Sequence, residues 1–223
     1  MKFMLDTLNL DQISYYQAIL PLAGVTTNPS IIKKEGKIDL FHYLSEIKKV
    51  IGQADLHVQV VGETKDDIEQ DAQTIIEQLG TETFIKVPVT EAGLATIKSL
   101  KKKGIRVTAT AIYTEFQGYL AIAAGADYLA PYYNRMENLN INAANVIHAL
   151  VEEIHRTSSK SEILAASFKN VGQVNQACRK GAQAVTLSPS VFAQAFNMPA
   201  IQQAVNDFHN DWRDTFHTEN IHS

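Results

Sequence analysis

Short apolar segments alternate with longer amphipathic segments along the whole chain. The short segments have the length and composition typical of β-strands. Eight are predicted, at residues 2–6, 24–27, 56–61, 84–87, 106–111, 128–131, 163–166 and 184–187.

The segments between the predicted strands have the spacing of helices. Residues 66–79 and 92–103 each place their apolar side chains on one stripe, and so do residues 201–216. A glycine stands at the entry to four strands, where we expect it to cap the preceding helix: Gly24, Gly104, Gly125 and Gly181. The recurring order of helix, glycine and strand predicts parallel strands joined by helical crossovers.

Eight such units predict a (β/α)8 barrel, although a doubly wound open sheet shows the same alternation. Side-chain parity favours the barrel, because polar residues share one face of several strands. In the third strand Leu56 and Val58 alternate with His57 and Gln59, and in the fifth Val107, Ala109 and Ala111 alternate with Arg106, Thr108 and Thr110. If the polar face lines the bore, the inward set near the carboxyl ends comprises Asp6, Thr26, Asn28, Gln59, Lys86, Thr110, Tyr132 and Ser167. The alternative is that some of these strands are edge strands with a solvated face.

Charge and composition exclude several classes of partner. Twenty basic side chains against 24 acidic ones give a net charge of −4, and we expect neither nucleic acid nor a membrane surface as partner.

Cys178 is the only cysteine, which excludes an internal disulfide, and the N-terminal segment lacks a signal-peptide core. We expect a cytoplasmic protein with one domain over residues 1–216 and a frayed tail over 217–223.

Lys86 is the strongest candidate for chemistry. It lies in the apolar segment FIKVPV, and burial of its ammonium favours either a carboxylate partner or easier loss of the proton. A lysine with a lowered pKa is a nucleophile that can form a Schiff base with a carbonyl. The alternatives are a structural ion pair or an ammonium that reaches solvent.

The neighbours of Lys86 in the predicted bore suit proton transfer. Asp6 is the one carboxylate in the inward set, and it could move a proton or be the ion-pair partner of Lys86. Tyr132 could donate a proton or hold a water molecule, whereas Gln59 can only orient one.

The rim of the predicted barrel suits a phosphate group. Arg135 follows the sixth strand and Ser167 and Lys169 follow the seventh, and a guanidinium can hold a phosphate through two hydrogen bonds. Asn28 lies in a second polar turn, where it could also cap a helix beginning at Pro29. No nucleotide phosphate loop and no zinc-type histidine spacing occurs, so we expect neither cofactor nor metal.

Five segments together resemble the transaldolase family of Schiff-base barrels. They read FMLDT from residue 3, AGVTTNPS from residue 23, FIKVPVT from residue 84, APYYNR from residue 130 and LAASFK from residue 164. Within that family the chain is similar to the short fructose 6-phosphate aldolase group. Gln59 stands where transaldolases generally have Glu, and TAIY at residues 110–113 stands where they usually have TLIF.

The resemblance implies a role for each site residue. Lys86 would form the imine with a C2 ketone, Asp6 and Tyr132 would transfer protons, and Gln59 and Thr110 would hold the reacting water together with Tyr132. Asn28, with Thr26 beside it, would contact the dihydroxyacetone part of the substrate. The substrate phosphate would be bound by Arg135 and Ser167, with Lys169 as a weaker candidate.

The implied activity is cleavage of fructose 6-phosphate to dihydroxyacetone and glyceraldehyde 3-phosphate, and the reverse addition. Transfer of the dihydroxyacetone unit to erythrose 4-phosphate is the alternative, and a non-catalytic sugar-phosphate-binding barrel is a third. The resemblance also implies a homo-oligomer, a pentamer or decamer, with the C-terminal helix on a neighbouring subunit. The roles of His57 and of residues 136–142 stay open.

Overall fold

The eight predicted strands form one closed parallel barrel in chain order. The computed structural model describes residues 1–222, and Ser223, the end of the predicted tail, lies outside them. Strands β1 to β8 are Lys2–Asp6, Leu22–Thr26, Asp55–Gln59, Phe84–Pro88, Val107–Ile112, Tyr128–Pro131, Glu162–Ala165 and Ala184–Leu187. Because β1 pairs with β8 as well as with β2, the barrel is confirmed and the open sheet is excluded.

Helices connect the strands and cover the barrel. Helices α1 to α11 are Leu10–Ile19, Pro29–Glu35, Leu40–Ile51, Lys65–Leu79, Glu91–Lys102, Glu115–Ala123, Tyr133–Asn138, Ala143–Thr157, Val171–Arg179, Pro189–Phe196 and Pro199–Phe216. The three helices predicted from apolar stripes are α4, α5 and α11. Most helices begin at an Asn, Asp or Thr whose side chain accepts a hydrogen bond from the first turn, as in α4 at Thr64 and α9 at Asn170.

Two apolar clusters hold the barrel together. The larger one lies between the outer face of the strands and the helices, and it includes Leu5, Val25 and Ile85. The smaller one fills the lower bore with Met4, Phe84, Tyr128, Leu164 and Ala184. The bore is therefore packed at its amino end, and an open site is left only at the carboxyl ends of the strands.

Three of the four predicted glycine caps are confirmed. Gly104, Gly125 and Gly181 follow helix ends with φ values of 75°, 87° and 95°, which residues with a Cβ rarely adopt. Gly24 is an exception, because it lies inside β2 rather than at a helix end. A Cβ there would stand 2.5 Å from the carbonyl oxygen of Asp55, so this glycine permits close approach of β2 and β3.

The predicted alternation in the fifth strand is correct only as far as Thr110. Ala111 has φ 58°, and the pairing of β5 with β6 shifts between Ala109 and Ile112. The shift is a one-residue bulge, so the strand continues with its faces exchanged. Among residues 1–222, no helix is both long enough and apolar enough to span a membrane.

Candidate active site

A cavity of about 320 Å³ opens at the carboxyl ends of the strands. Seven predicted residues line it: Asp6, Asn28, Lys86, Tyr132, Arg135, Ser167 and Lys169. The other three, Thr26, Gln59 and Thr110, do not line it, but each is a neighbour of a residue that does. The fold thus brings together Asp6 and Ser167, two residues of the predicted inward set that lie 161 positions apart in the chain.

Lys86 lies on β4 at the inner wall of the cavity and is 5% exposed. Its Nζ donates a hydrogen bond to the carbonyl oxygen of Thr27 at 2.7 Å, and within residues 1–222 it forms no ion pair with a carboxylate. Burial lowers the pKa of Lys86; the Asp6 carboxylate opposes this shift and the Arg135 cation adds to it. The ammonium is therefore neither paired nor in solvent, and its neutral form is accessible at lower pH than that of a surface lysine.

Asp6 is oriented by threonines at the end of β1. Its Oδ1 accepts a hydrogen bond from the Thr26 hydroxyl at 2.7 Å, and Thr26 Oγ1 lies 2.6 Å from Thr186 Oγ1. Since Thr26 donates to Asp6, it must accept from Thr186. The Thr26 side chain is fully buried, so its contacts orient the carboxylate.

Tyr132 follows β6 and presents its phenol to the cavity. The hydroxyl lies 2.9 Å from Thr110 Oγ1, and burial raises the pKa of Tyr132. The phenol therefore stays protonated at neutral pH and can donate a proton or bind water. Gln59 is the strand neighbour of Lys86, and its Oε1 is buried without a partner among residues 1–222. Gln59 also borders a larger, mainly apolar depression of about 820 Å³.

Arg135 lies in α7 above the Tyr132 ring. Its guanidinium carbon is 4.5 Å from the ring centroid, and Nη1 donates to the hydroxyl of Tyr113 at 3.5 Å. The Tyr113 and Tyr132 rings meet edge to face at 5.7 Å. These contacts hold the Arg135 cation at the wall of the cavity.

Three other predicted contacts, Asn28, Ser167 and Lys169, also line the cavity. Asn28 caps α2, since its Oδ1 accepts from the backbone of Ile31 at 3.1 Å, and it also lines the cavity. The cap is therefore confirmed, and contact of Asn28 with a substrate stays a prediction. Ser167 has φ 63°, a conformation that is uncommon for serine and that occurs here at the cavity wall. Lys169 is exposed at the rim.

His57 lies lower in the bore, out of the cavity. Its ring stacks on Phe84 at 4.5 Å, and its Nδ1 lies 2.8 Å from Thr108 Oγ1. Burial lowers the pKa of His57 well below its usual value, and the nearby cations of Lys86 and Lys2 add to the effect. The imidazole is therefore neutral at physiological pH.

Some cavity residues were missed by sequence reasoning. Ser188 and Ser190 follow β8, and the rule that rim residues follow strand ends could have found them. Lys34 comes from the last turn of α2, and nothing in its local sequence distinguishes it from a surface lysine. The carbonyl of Thr27 is a backbone group and leaves no signal in the sequence.

Comparison with known proteins identifies the family of this chain. The family model described as transaldolase/fructose-6-phosphate aldolase matches residues 3–222. The chain belongs to the transaldolase/fructose-6-phosphate aldolase family. A relative in Streptococcus pneumoniae (strain ATCC 700669 / Spain 23F-1), a probable fructose-6-phosphate aldolase, is 58% identical over 213 residues, which cover 95% of this chain and 96% of that protein. The family match therefore includes every residue that lines the cavity. Among residues 1–222, no three His, Cys, Asp or Glu side chains cluster as metal ligands.

Proposed function

We propose that this protein is a Schiff-base aldolase that cleaves fructose 6-phosphate into dihydroxyacetone and glyceraldehyde 3-phosphate and catalyses the reverse addition. The observation that carries the proposal is the buried, unpaired Lys86 ammonium beside Asp6 and Tyr132. The relative named as a probable fructose-6-phosphate aldolase supports the substrate.

The neutral Lys86 amine attacks the C2 carbonyl, and loss of water leaves an imine. The protonated imine accepts the electron pair of the C3–C4 bond as a base removes the proton from the C4 hydroxyl. Asp6 and Tyr132 are the groups that exchange protons in these steps. Glyceraldehyde 3-phosphate leaves, and a dihydroxyacetone enamine stays on Lys86.

Protonation and hydrolysis of the enamine release dihydroxyacetone and restore the lysine. Tyr132, hydrogen-bonded to Thr110, holds the reacting water, and Gln59 orients it from the neighbouring strand. Gln59 has no carboxylate to act as a base at this position. Asn28 contacts the dihydroxyacetone part, and Thr26 acts through the orientation of Asp6.

The phosphate of the aldehyde binds at the mouth of the cavity to Arg135 and Ser167, with Lys169 contributing from the rim. The Arg135 guanidinium supplies a planar pair of donors that matches two phosphate oxygens. The surrounding hydroxyls of Ser188 and Ser190 make this end of the cavity suitable for an anion.

Covalent trapping tests the proposal. Borohydride reduction in the presence of dihydroxyacetone should add a stable substituent to Lys86, detected by mass spectrometry of the peptide that contains it. Failure to trap any lysine while a sugar phosphate still binds would favour a non-catalytic binding barrel.

We also propose a cytoplasmic homo-oligomer of one domain, a pentamer or decamer. Helix α11 supports the oligomer, because none of its residues is buried and its apolar side chains Ile201, Val205, Phe208 and Phe216 are exposed. Several exposed apolar side chains along one helix are typical of a contact between subunits.

A further inference from the structure

Strand β5 departs from regular pairing at one residue beside the site. With β4 it pairs regularly up to Thr110. With β6, it advances three residues from Ala109 to Ile112 while β6 advances two, from Leu129 to Pro131. Such a bulge often places a glycine in the left-handed region, yet Ala111 occupies it here with φ 58°. A strained residue of this kind persists only where its surroundings hold it.

The bulge exchanges the faces of the residues that follow it. Thr108 and Thr110 face the bore, and strict alternation would send Ile112 into the mouth and Tyr113 towards the helices. Instead, Ile112 is fully buried in the outer apolar cluster, and its carbonyl accepts a hydrogen bond from the backbone of Tyr132 at 3.0 Å. Tyr113 is then the residue that reaches the site.

Tyr113 contacts the two groups that surround the mouth of the cavity. Its hydroxyl accepts from Arg135 Nη1 at 3.5 Å, and its ring lies against Tyr132 at 5.7 Å between centroids. The Arg135 side chain is long and exposed, so a free guanidinium would lose rotamer freedom on binding an anion. A side chain already held by Tyr113 and Tyr132 loses less of that freedom, so it binds more tightly.

We propose that Ala111 is a specificity-determining positioning residue: its left-handed bulge in β5 turns Tyr113 towards the mouth, where Tyr113 holds Arg135 ready for the phosphate of the aldehyde. This inference rests on the proposed function, in which Arg135 is the phosphate ligand. Ala111 itself contacts no substrate and acts through Tyr113.

Two substitutions at one position separate this role from a general effect on folding. Ala111→Gly keeps the positive φ without strain, whereas Ala111→Val places a β-branched residue where it is strongly disfavoured. The probe is glycerol 3-phosphate, which carries the phosphate but no carbonyl, and its Kd is measured by calorimetry. Circular dichroism and thermal unfolding show whether each variant is folded.

We expect Ala111→Val to raise the Kd for glycerol 3-phosphate about tenfold and Ala111→Gly to change it by less than about twofold. Tyr113→Leu, which keeps the backbone, should weaken binding as Ala111→Val does, and it carries the test if Ala111→Val does not fold. If Ala111→Val and Tyr113→Leu both bind glycerol 3-phosphate with the Kd of the wild type, the inference is overturned. It is also overturned if the wild type does not bind glycerol 3-phosphate. Equal weakening by Ala111→Gly and Ala111→Val would overturn it as well.

The proposed aldolase function is judged separately, by borohydride trapping with dihydroxyacetone, which carries no phosphate. If borohydride and dihydroxyacetone form no adduct on Lys86 of the wild type, the proposed aldolase function is refuted. The Kd values of the variants for glycerol 3-phosphate would still decide the role of Ala111. Lys86 of Ala111→Val should still be trapped, because dihydroxyacetone carries no phosphate, while the Kd of this variant for glycerol 3-phosphate is raised.

Discussion

Replacing Arg135 by alanine should remove the preference of the enzyme for phosphorylated aldehydes. The guanidinium lies at the mouth of the cavity, partly open to solvent. Because solvent screens the charges there, each hydrogen bond from Arg135 to phosphate should contribute the lower end of the usual range for charged groups, about 1.5 kcal/mol. A two-bond contact is then worth about 3 kcal/mol, and since about 1.4 kcal/mol is tenfold, kcat/KM should fall roughly 100-fold.

The same change should affect an unphosphorylated aldehyde much less. Arg135 lies 4.5 Å from the centroid of the Tyr132 ring, and such a contact at a partly exposed site contributes about 0.5–1 kcal/mol. Its loss disturbs the proton-transferring phenol and predicts a decrease of about two- to fivefold in kcat/KM for either aldehyde.

The assay is the addition of dihydroxyacetone to glyceraldehyde 3-phosphate and, separately, to glyceraldehyde, with initial rates measured over a range of aldehyde concentrations. Arg135→Lys is the matched control, because it keeps the charge and loses the planar pair of donors; it should lie between the wild type and alanine. Equal losses with the two aldehydes would refute the phosphate role of Arg135.

Three more predictions concern the lysine, the buried histidine and the C-terminal helix. Lys86→Met should abolish borohydride trapping while the barrel stays folded, whereas Lys98→Met on the exposed face of α5 should trap normally; mass spectrometry and circular dichroism check both. The folded-state pKa of His57 is depressed, so below the unfolded value of 6.5 the unfolded chain binds the proton that the native state excludes. This group should therefore lower the free energy of unfolding by up to about 1.4 kcal/mol per pH unit below pH 6.5, and urea titrations should find the slope reduced in His57→Phe. Phe208→Asp should shift the protein to smaller species in sedimentation, and an unchanged mass would remove α11 from the interface.

Strand parity predicted most of the site because a closed barrel turns every second residue into one bore. Lys86 and Asp6 could be placed together for this reason, although they are far apart in the chain. Parity fails where the backbone departs from regular pairing. An alanine holds the left-handed position of the β5 bulge, so no glycine signalled that Ile112 and Tyr113 exchange faces.

Other features depend on contacts that a local pattern does not encode. Gly24 matched the pattern of a helix cap but serves the close approach of β2 to Asp55. The hydrogen-bond partner of the Lys86 ammonium is the carbonyl of Thr27, which any residue would supply. Lys34 reaches the cavity because α2 ends beside it, and only the assembled barrel reveals this position.

In the proposed reaction, water rather than an acceptor sugar releases the dihydroxyacetone unit from Lys86. The most direct test measures free dihydroxyacetone and glyceraldehyde 3-phosphate formed over many turnovers from fructose 6-phosphate alone, and again with erythrose 4-phosphate added. We expect sustained release of both products without the acceptor. Release that requires erythrose 4-phosphate, with sedoheptulose 7-phosphate as the product, would contradict the aldolase and identify a transaldolase.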